Sequence, residues 1–176
     1  GNAGGSGGNI TLSSSGGDIN ISAINANGSF GAVTDVSSGG DVTVTANNGN
    51  VNINGTVQAR SFGAGTGGDI AITSTGAGND INLNGGSDVY SYGDNTSTGG
   101  QINLTAADRV AFSDGSHLDA HGATGGDIDV TSSSNIDLLG TNYIYAHSDQ
   151  GGFGGTVDLT SGSGSITQGA AARIYT

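Results

Sequence analysis

A glycine doublet, a polar residue and an apolar-x-apolar triplet keep returning along this chain. The clearest instances are Gly40-Asp41-Val42-Thr43-Val44, Gly68-Asp69-Ile70-Ala71-Ile72 and Gly126-Asp127-Ile128-Asp129-Val130, with variants at Asn9, Asp18, Gln101 and Thr156. From Gly39 onward the returns come about 26 to 32 residues apart. Such a period marks a repeat array, in which each unit buries its apolar side only by stacking on its neighbours. Function in such a chain belongs to a repetitive surface.

Each unit from Gly39 on contains three short triplets. The first is Val42-Thr43-Val44, Ile70-Ala71-Ile72, Ile102-Asn103-Leu104, Ile128-Asp129-Val130 and Val157-Asp158-Leu159. The second is Val51-Asn52-Ile53, Ile81-Asn82-Leu83, Val110-Ala111-Phe112 and Ile136-Asp137-Leu138, with Ile166 in the last unit. The third is Val57-Gln58-Ala59, Val89-Tyr90-Ser91, Leu118-Asp119-Ala120, Ile144-Tyr145-Ala146 and Ile174-Tyr175-Thr176. Alternation sends two side chains of a triplet one way and one the other, which is the period of a strand. Winding the units into a coil stacks each strand on its counterpart about 4.8 Å away and closes an apolar interior. The expected fold is all-β, a parallel β-helix or solenoid with three short strands per coil and about six coils. Residues 1–176 then form a single β-helix segment, an excerpt of a longer chain or a filament subunit.

Composition agrees. Glycine supplies 36 of 176 residues and only 33% are hydrophobic, too few for an ordinary layered core. Disorder is opposed by the fixed placement of Ile, Val and Leu. The chain has no Glu, Lys, Met or Pro, so good helix formers are scarce while Thr, Val and Ile favour strands. Fifteen Asp against three Arg give a formal charge of −12, a surface that repels phosphate backbones and anionic membranes. Neither nucleic acid nor membrane insertion is expected. No cysteine is present to indicate a compartment. The opening Gly1-Asn2-Ala3-Gly4-Gly5 has neither an initiator Met nor the regions of a signal peptide, as in a mature segment or excerpt.

Two features limit the register. Only about nine residues separate Gly7-Gly8 from Gly16-Gly17, and residues 23 to 38 align with no unit. Glycines at the corners are expected to supply left-handed backbone conformations. About six coils make a rod of some 30 Å, whose ends are exposed strand edges.

The Asp after the doublet has a structural role as a cap of corner N–H groups. A functional alternative is a column of carboxylates holding Ca²⁺ between coils, with Asp18, Asp41, Asp69 and Asp127 as candidates. No other cofactor is indicated. Asn9, Gln101 and Thr156 interrupt that column. The nine-residue calcium repeat fails as well, because Thr11 stands where a large apolar residue is required.

The most unusual surface is the outward side of the third strand. Tyr90 and Tyr92, Asp119 and His121, and Tyr145 and His147 should project from successive coils, preceded by Gln58 and Arg60 and followed by Tyr175. Phenols beside carboxylate and imidazole suit sugar-ring stacking with hydrogen bonding, or contact with another filament. An aromatic ladder that merely covers strand backbone is the plainer account. His121 and His147, with Asp119 or Asp149, also suggest zinc, but a third ligand is not evident.

The unit of doublet, Asp, strand, a second Asn-led strand and a Gly-Ser-led third strand resembles the repeats of filamentous haemagglutinin-type bacterial exoproteins, particularly cyanobacterial ones. Gly99-Gly100-Gln101-Ile102-Asn103-Leu104-Thr105-Ala106-Ala107-Asp108-Arg109-Val110, leading to Asp114-Gly115-Ser116-His117-Leu118-Asp119-Ala120, carries the closest likeness. The resemblance covers roughly residues 39 to 176. It implies a right-handed β-helix, exported by a two-partner system and displayed at the bacterial cell surface or in the extracellular space as an adhesin or fibre. The family's secretion domain, with its Asn-Pro motifs, has no counterpart in a chain without proline.

The expected function is therefore structural and adhesive, not enzymatic. The rod would associate with itself end to end or laterally, and bind surface glycans. A polysaccharide lyase or hydrolase is the alternative, but Arg60, Arg109 and Arg173 fall in separate units and no groove of clustered acid and base is displayed. The outward Thr45, Thr73, Thr105, Thr131 and Thr160 also suggest ice binding, opposed by the neighbouring Asp129 and Asp158.

Overall fold

The computed structural model of the protein describes residues 4–29, 36–94 and 96–176. Every regular element among them is a β-strand. The first face is a six-stranded parallel sheet of Ile10–Ser14, Val42–Asn47, Ile70–Thr75, Ile102–Ala106, Ile128–Ser132 and Val157–Ser161, in that order. The second face stacks Ile19–Asn25, Val51–Gln58, Ile81–Leu83, Val110–Phe112, Ile136–Leu138 and Ile166–Gln168. The end of Val51–Gln58 turns onto the third face, where Asp88–Tyr90, His117–Asp119, Tyr143–Tyr145 and Arg173–Tyr175 follow it. A short antiparallel pair, Val36–Ser37 with Phe62–Gly63, lies outside these ladders.

Residues one repeat apart are vertical neighbours. On the first face Ile10, Val42, Ile70, Ile102, Ile128 and Val157 pair in succession, all in parallel register. The fold is thus a parallel β-solenoid. It makes about five turns where about six coils are expected, because six rungs on the first face enclose five intervals between them.

The core follows from period-2 alternation. Ile70, Ile72, Ile102 and Leu104 on the first face, and Ile81, Leu83, Val110 and Ile136 on the second, are fully buried. Each such side chain contributes roughly 1.5–3 kcal/mol relative to exposure. The third face puts a large residue beside a small one: Val57 with Ala59, Val89 with Ser91, Leu118 with Ala120, Ile144 with Ala146, all buried.

Those small residues explain the doublets. The second glycine donates its N–H across the corner to the small residue's carbonyl, as in Gly68 to Ala59 at 2.7 Å, Gly100 to Ser91 at 2.7 Å and Gly126 to Ala120 at 2.6 Å. A β-carbon on the first glycine of the doublet would meet the corresponding carbonyl one coil on, 2.0 Å from Ala120 O at Gly99 and 2.0 Å from Ala146 O at Gly125. The doublets that lead into the first-face strands are therefore needed for room. Left-handed backbone, expected at the corners, is found at Gly86, Gly115 and Gly140 between second and third faces, with φ of 73°, 79° and 85°, and at Gly63 and Gly151 between third and first faces, with φ of 78° and 70°.

The irregular first unit also resolves. Gly16-Gly17 is no second doublet of the same kind: Gly17 stacks with Gly49 at the corner between first and second faces. One coil thus runs from Gly7-Gly8 to Gly39-Gly40. Of the stretch that aligned with no unit, Ala23, Ile24 and Asn25 pair with Thr56, Val57 and Gln58, with a register shift after Ile21. Residues 30–35 of that stretch lie outside the described residues, as do Gly1, Asn2 and Ala3.

Candidate functional site

The third face carries the sequence-expected side chains in outward columns. Strand pairing aligns Gln58, Tyr90, Asp119, Tyr145 and Tyr175. Two residues further on, Arg60, Tyr92, His121 and His147 form a second column. The Arg60 guanidinium carbon sits 4.3 Å from the Tyr92 ring centre, Tyr92 stacks on His121 at 4.5 Å, and His121 stacks on His147 at 5.5 Å. Cation–π and ring–ring contacts of this kind reward the rung spacing of the ladder.

A third column escaped the sequence reading. Asp88, His117, Tyr143 and Arg173 align two residues before the Tyr90 column. His117 Nδ1 is 2.8 Å from Asp88 Oδ1, and its ring lies 5.2 Å from that of Tyr143. The alternation that puts Tyr90, Asp119 and Tyr145 outward could have found these residues, since each also neighbours a buried Val89, Leu118 or Ile144.

Ring orientation changes what the face offers. Tyr145 and Tyr175 stack at 5.1 Å, as do Tyr143 and Tyr145 at 5.5 Å. Ring faces inside these stacks lie against one another, whereas Tyr90 meets Tyr92 edge-on. Ring edges, phenolic O–H groups and imidazole nitrogens add hydrogen-bonding groups along the columns.

The electrostatics are anionic and crowded. Burial raises the Tyr90 phenol well above its ordinary value, reinforced by the Asp88 charge, by a hydrogen bond to Asp88 and by Asp119. Burial likewise raises Tyr145, with Tyr175, Tyr143 and Asp119 adding to it. For His121, burial opposes the charged ring, but the Asp119 hydrogen bond and the Asp119 and Asp149 charges outweigh it, and the pKa rises above 6.5. Arg60 is 3.6 Å from Asp94.

The candidate calcium residues lie elsewhere and in two columns. Asn9 Oδ1 accepts the Asp41 N–H at 2.9 Å, Asp41 Oδ1 that of Asp69 at 3.1 Å, and Asp69 Oδ1 that of Gln101 at 2.9 Å. Asp127 Oδ1 accepts both the N–H and the O–H of Thr156, at 2.8 and 2.7 Å. Each side chain caps the coil that follows, not its own turn. Asp18 belongs to a different column, one corner on: Asp18 to Asn50 at 2.8 Å, Asn50 to Asp80 at 2.8 Å and Asp80 to Arg109 at 3.1 Å. Asp18 is thus separated from Asp41, Asp69 and Asp127, because the doublet column begins at Asn9. Among the described residues, no group of three His, Cys, Asp or Glu side chains could hold a metal ion.

No family model matches the chain, and neither a curated protein nor a solved structure matches it. No helix among the described residues is long and apolar enough to cross a membrane.

Proposed function

We propose that the chain is a β-helical rod of an extracellular bacterial fibre or adhesin, acting by presentation of a repeated surface and not by catalysis. The observation that carries this reading is the third face, where outward columns place aromatic, imidazole or carboxylate groups on each rung from Asp88 to Tyr175. A ligand with its own repeat, such as a surface glycan, meets hydrogen-bonding and aromatic groups on successive coils. Many weak contacts then act together, and avidity rises with their number. The resemblance of the repeat to filamentous haemagglutinin-type exoproteins points the same way.

Self-association belongs to the same proposal. End-to-end stacking would pair the strand edges of neighbouring rods. Lateral contact would use the third-face columns.

A glycan array probed with the purified chain tests the adhesive reading. Binding that is lost in Tyr90→Ala and Tyr145→Ala supports it; no binding to any glycan leaves a purely structural fibre. Incubation with acidic and neutral polysaccharides addresses catalysis, and new reducing ends or unsaturated products would overturn the non-enzymatic reading. Electron microscopy at high concentration reads self-association, with short monomeric particles alone as the contrary result.

A further inference from the structure

Asp149 stands between imidazoles of successive coils: its Oδ2 lies 3.3 Å from Nε2 of His121, and its Oδ1 lies 2.9 Å from Nε2 of His147. The other nitrogen of His121, Nδ1, is hydrogen-bonded to Asp119 Oδ1, which also accepts the His121 backbone N–H at 3.1 Å. With a hydrogen bond to Asp119 at Nδ1 and the Asp149 carboxylate at ion-pair distance from Nε2, both neighbouring carboxylates favour the charged ring. His147 faces a carboxylate at one nitrogen only, and its buried Nδ1 has no hydrogen-bond partner.

We propose that His121 is a proton-operated clasp, whose charged ring ties the corner segment 148–152 of one coil to the third-face strand of the coil before it. The groups facing the ring are Asp119 on its own strand, Asp149 and His147 from the following coil, and Tyr92 from the preceding one, with Arg60 and its partner Asp94 beyond Tyr92. When the ring loses a proton, one of its nitrogens turns a lone pair toward a carboxylate. The Asp119 contact is local and braced by a backbone N–H, whereas the Asp149 contact is longer and crosses between coils. Asp149 is therefore the partner released. Segment 148–152 then keeps only the Asp149 N–H to Gly122 O bond at 2.9 Å, Ser148 Oγ to Ala123 O at 2.8 Å, Gly152 N–H to Ser148 Oγ at 2.8 Å and the His147 contact.

The sign is that of a histidine gaining partners. The clasp is closed below the ordinary value of 6.5 and opens as pH rises through the higher folded-state value. Because the clasp borders Tyr145 and His147, its state would regulate the face proposed above for adhesion. It stands on its own geometry whether or not that face binds a glycan.

The test is an NMR titration of the His121 ring nitrogens, with His147 as internal reference, beside hydrogen exchange of the Asp149 amide corrected for intrinsic rates. His121 is expected to titrate above 6.5, with protection of the Asp149 amide falling through the same midpoint. The fall should be about tenfold for each unit by which Asp149 raises that midpoint. Asp149→Asn should lower the midpoint and make protection of that amide independent of pH. His147→Gln should leave the coupling to His121 in place. Titration of His121 at or below 6.5, or amide protection that is constant across its titration, would overturn the clasp.

Discussion

A β-carbon built on Gly126 would lie 2.1 Å from the carbonyl oxygen of Gly100, the glycine at the same place one coil earlier. Gly40, Gly68 and Gly155 are crowded in the same way, each by the carbonyl of the preceding doublet. Gly8 begins this column in the structure, and nothing lies within 4 Å of a β-carbon there. Gly126→Ala should therefore cost about 1–3 kcal/mol through overpacking. Gly8→Ala should stay within about 0.5 kcal/mol of the parent chain. Chemical denaturation of both variants makes the comparison, and equal losses would mean that the doublets do not stack.

Burial along one inward column should be read out by position. Leu12, Val44, Ile72 and Leu104 share a column, but Leu12 is 37% exposed on the outer rung while Leu104 is fully buried. Leu104→Ala should lose about 2–5 kcal/mol, the range for emptying a closed core site. The same change at Leu12 should lose well under half as much.

The caps between coils make a prediction about acid. The Thr156 N–H and O–H bonds to Asp127 hold its carboxyl below 3.8 against a small opposing effect of burial. Stability from this cap is present above 3.8 and is lost as pH falls through the lower folded-state value. An NMR titration should show the Thr156 amide shifting with the Asp127 carboxyl. Asp127→Asn, which keeps an acceptor oxygen, should preserve stability better than Asp127→Ala.

Calcium should be dispensable. The Oδ1 atoms of Asp41, Asp69 and Asp127 already accept backbone N–H groups of the following coil, so the ladder is satisfied by the chain itself. Thermal denaturation with a chelator and with added Ca²⁺ should give the same midpoint. A midpoint that rises with Ca²⁺ would restore the carboxylate column as a metal site.

The strand register was legible because the apolar triplets alternate cleanly wherever a whole coil repeats. Val42, Ile70, Ile102, Ile128 and Val157 align on the doublet alone. Asp18 was misplaced for a physical reason: Gly-Gly pairs stand at all three corners, and the crossing bond to Ala59, Ser91, Ala120 or Ala146 distinguishes those between third and first faces. Tyr90, Tyr92, Asp119, His121, Tyr145 and His147 were placed on one face by alternation. The direction of their rings was not, since it depends on neighbours one coil away; Asp149 is expected near the two imidazoles, but not its place between them. Asp149 sits past the third strand on a corner segment, where period-2 alternation gives no direction.

The claim on which the rest depends is vertical stacking of residues one repeat apart. Thr73 and Thr105 pair directly, and Thr160 lies two further rungs along the same outward column, through Thr131. Nitroxide labels on Thr73→Cys and Thr105→Cys, compared with labels on Thr73→Cys and Thr160→Cys, measure this by electron paramagnetic resonance. The solenoid predicts strong dipolar broadening for the first pair, at a backbone spacing of about 4.8 Å, and weaker coupling for the second, at about 14 Å. Absence of broadening between positions 73 and 105 would contradict the stacked fold.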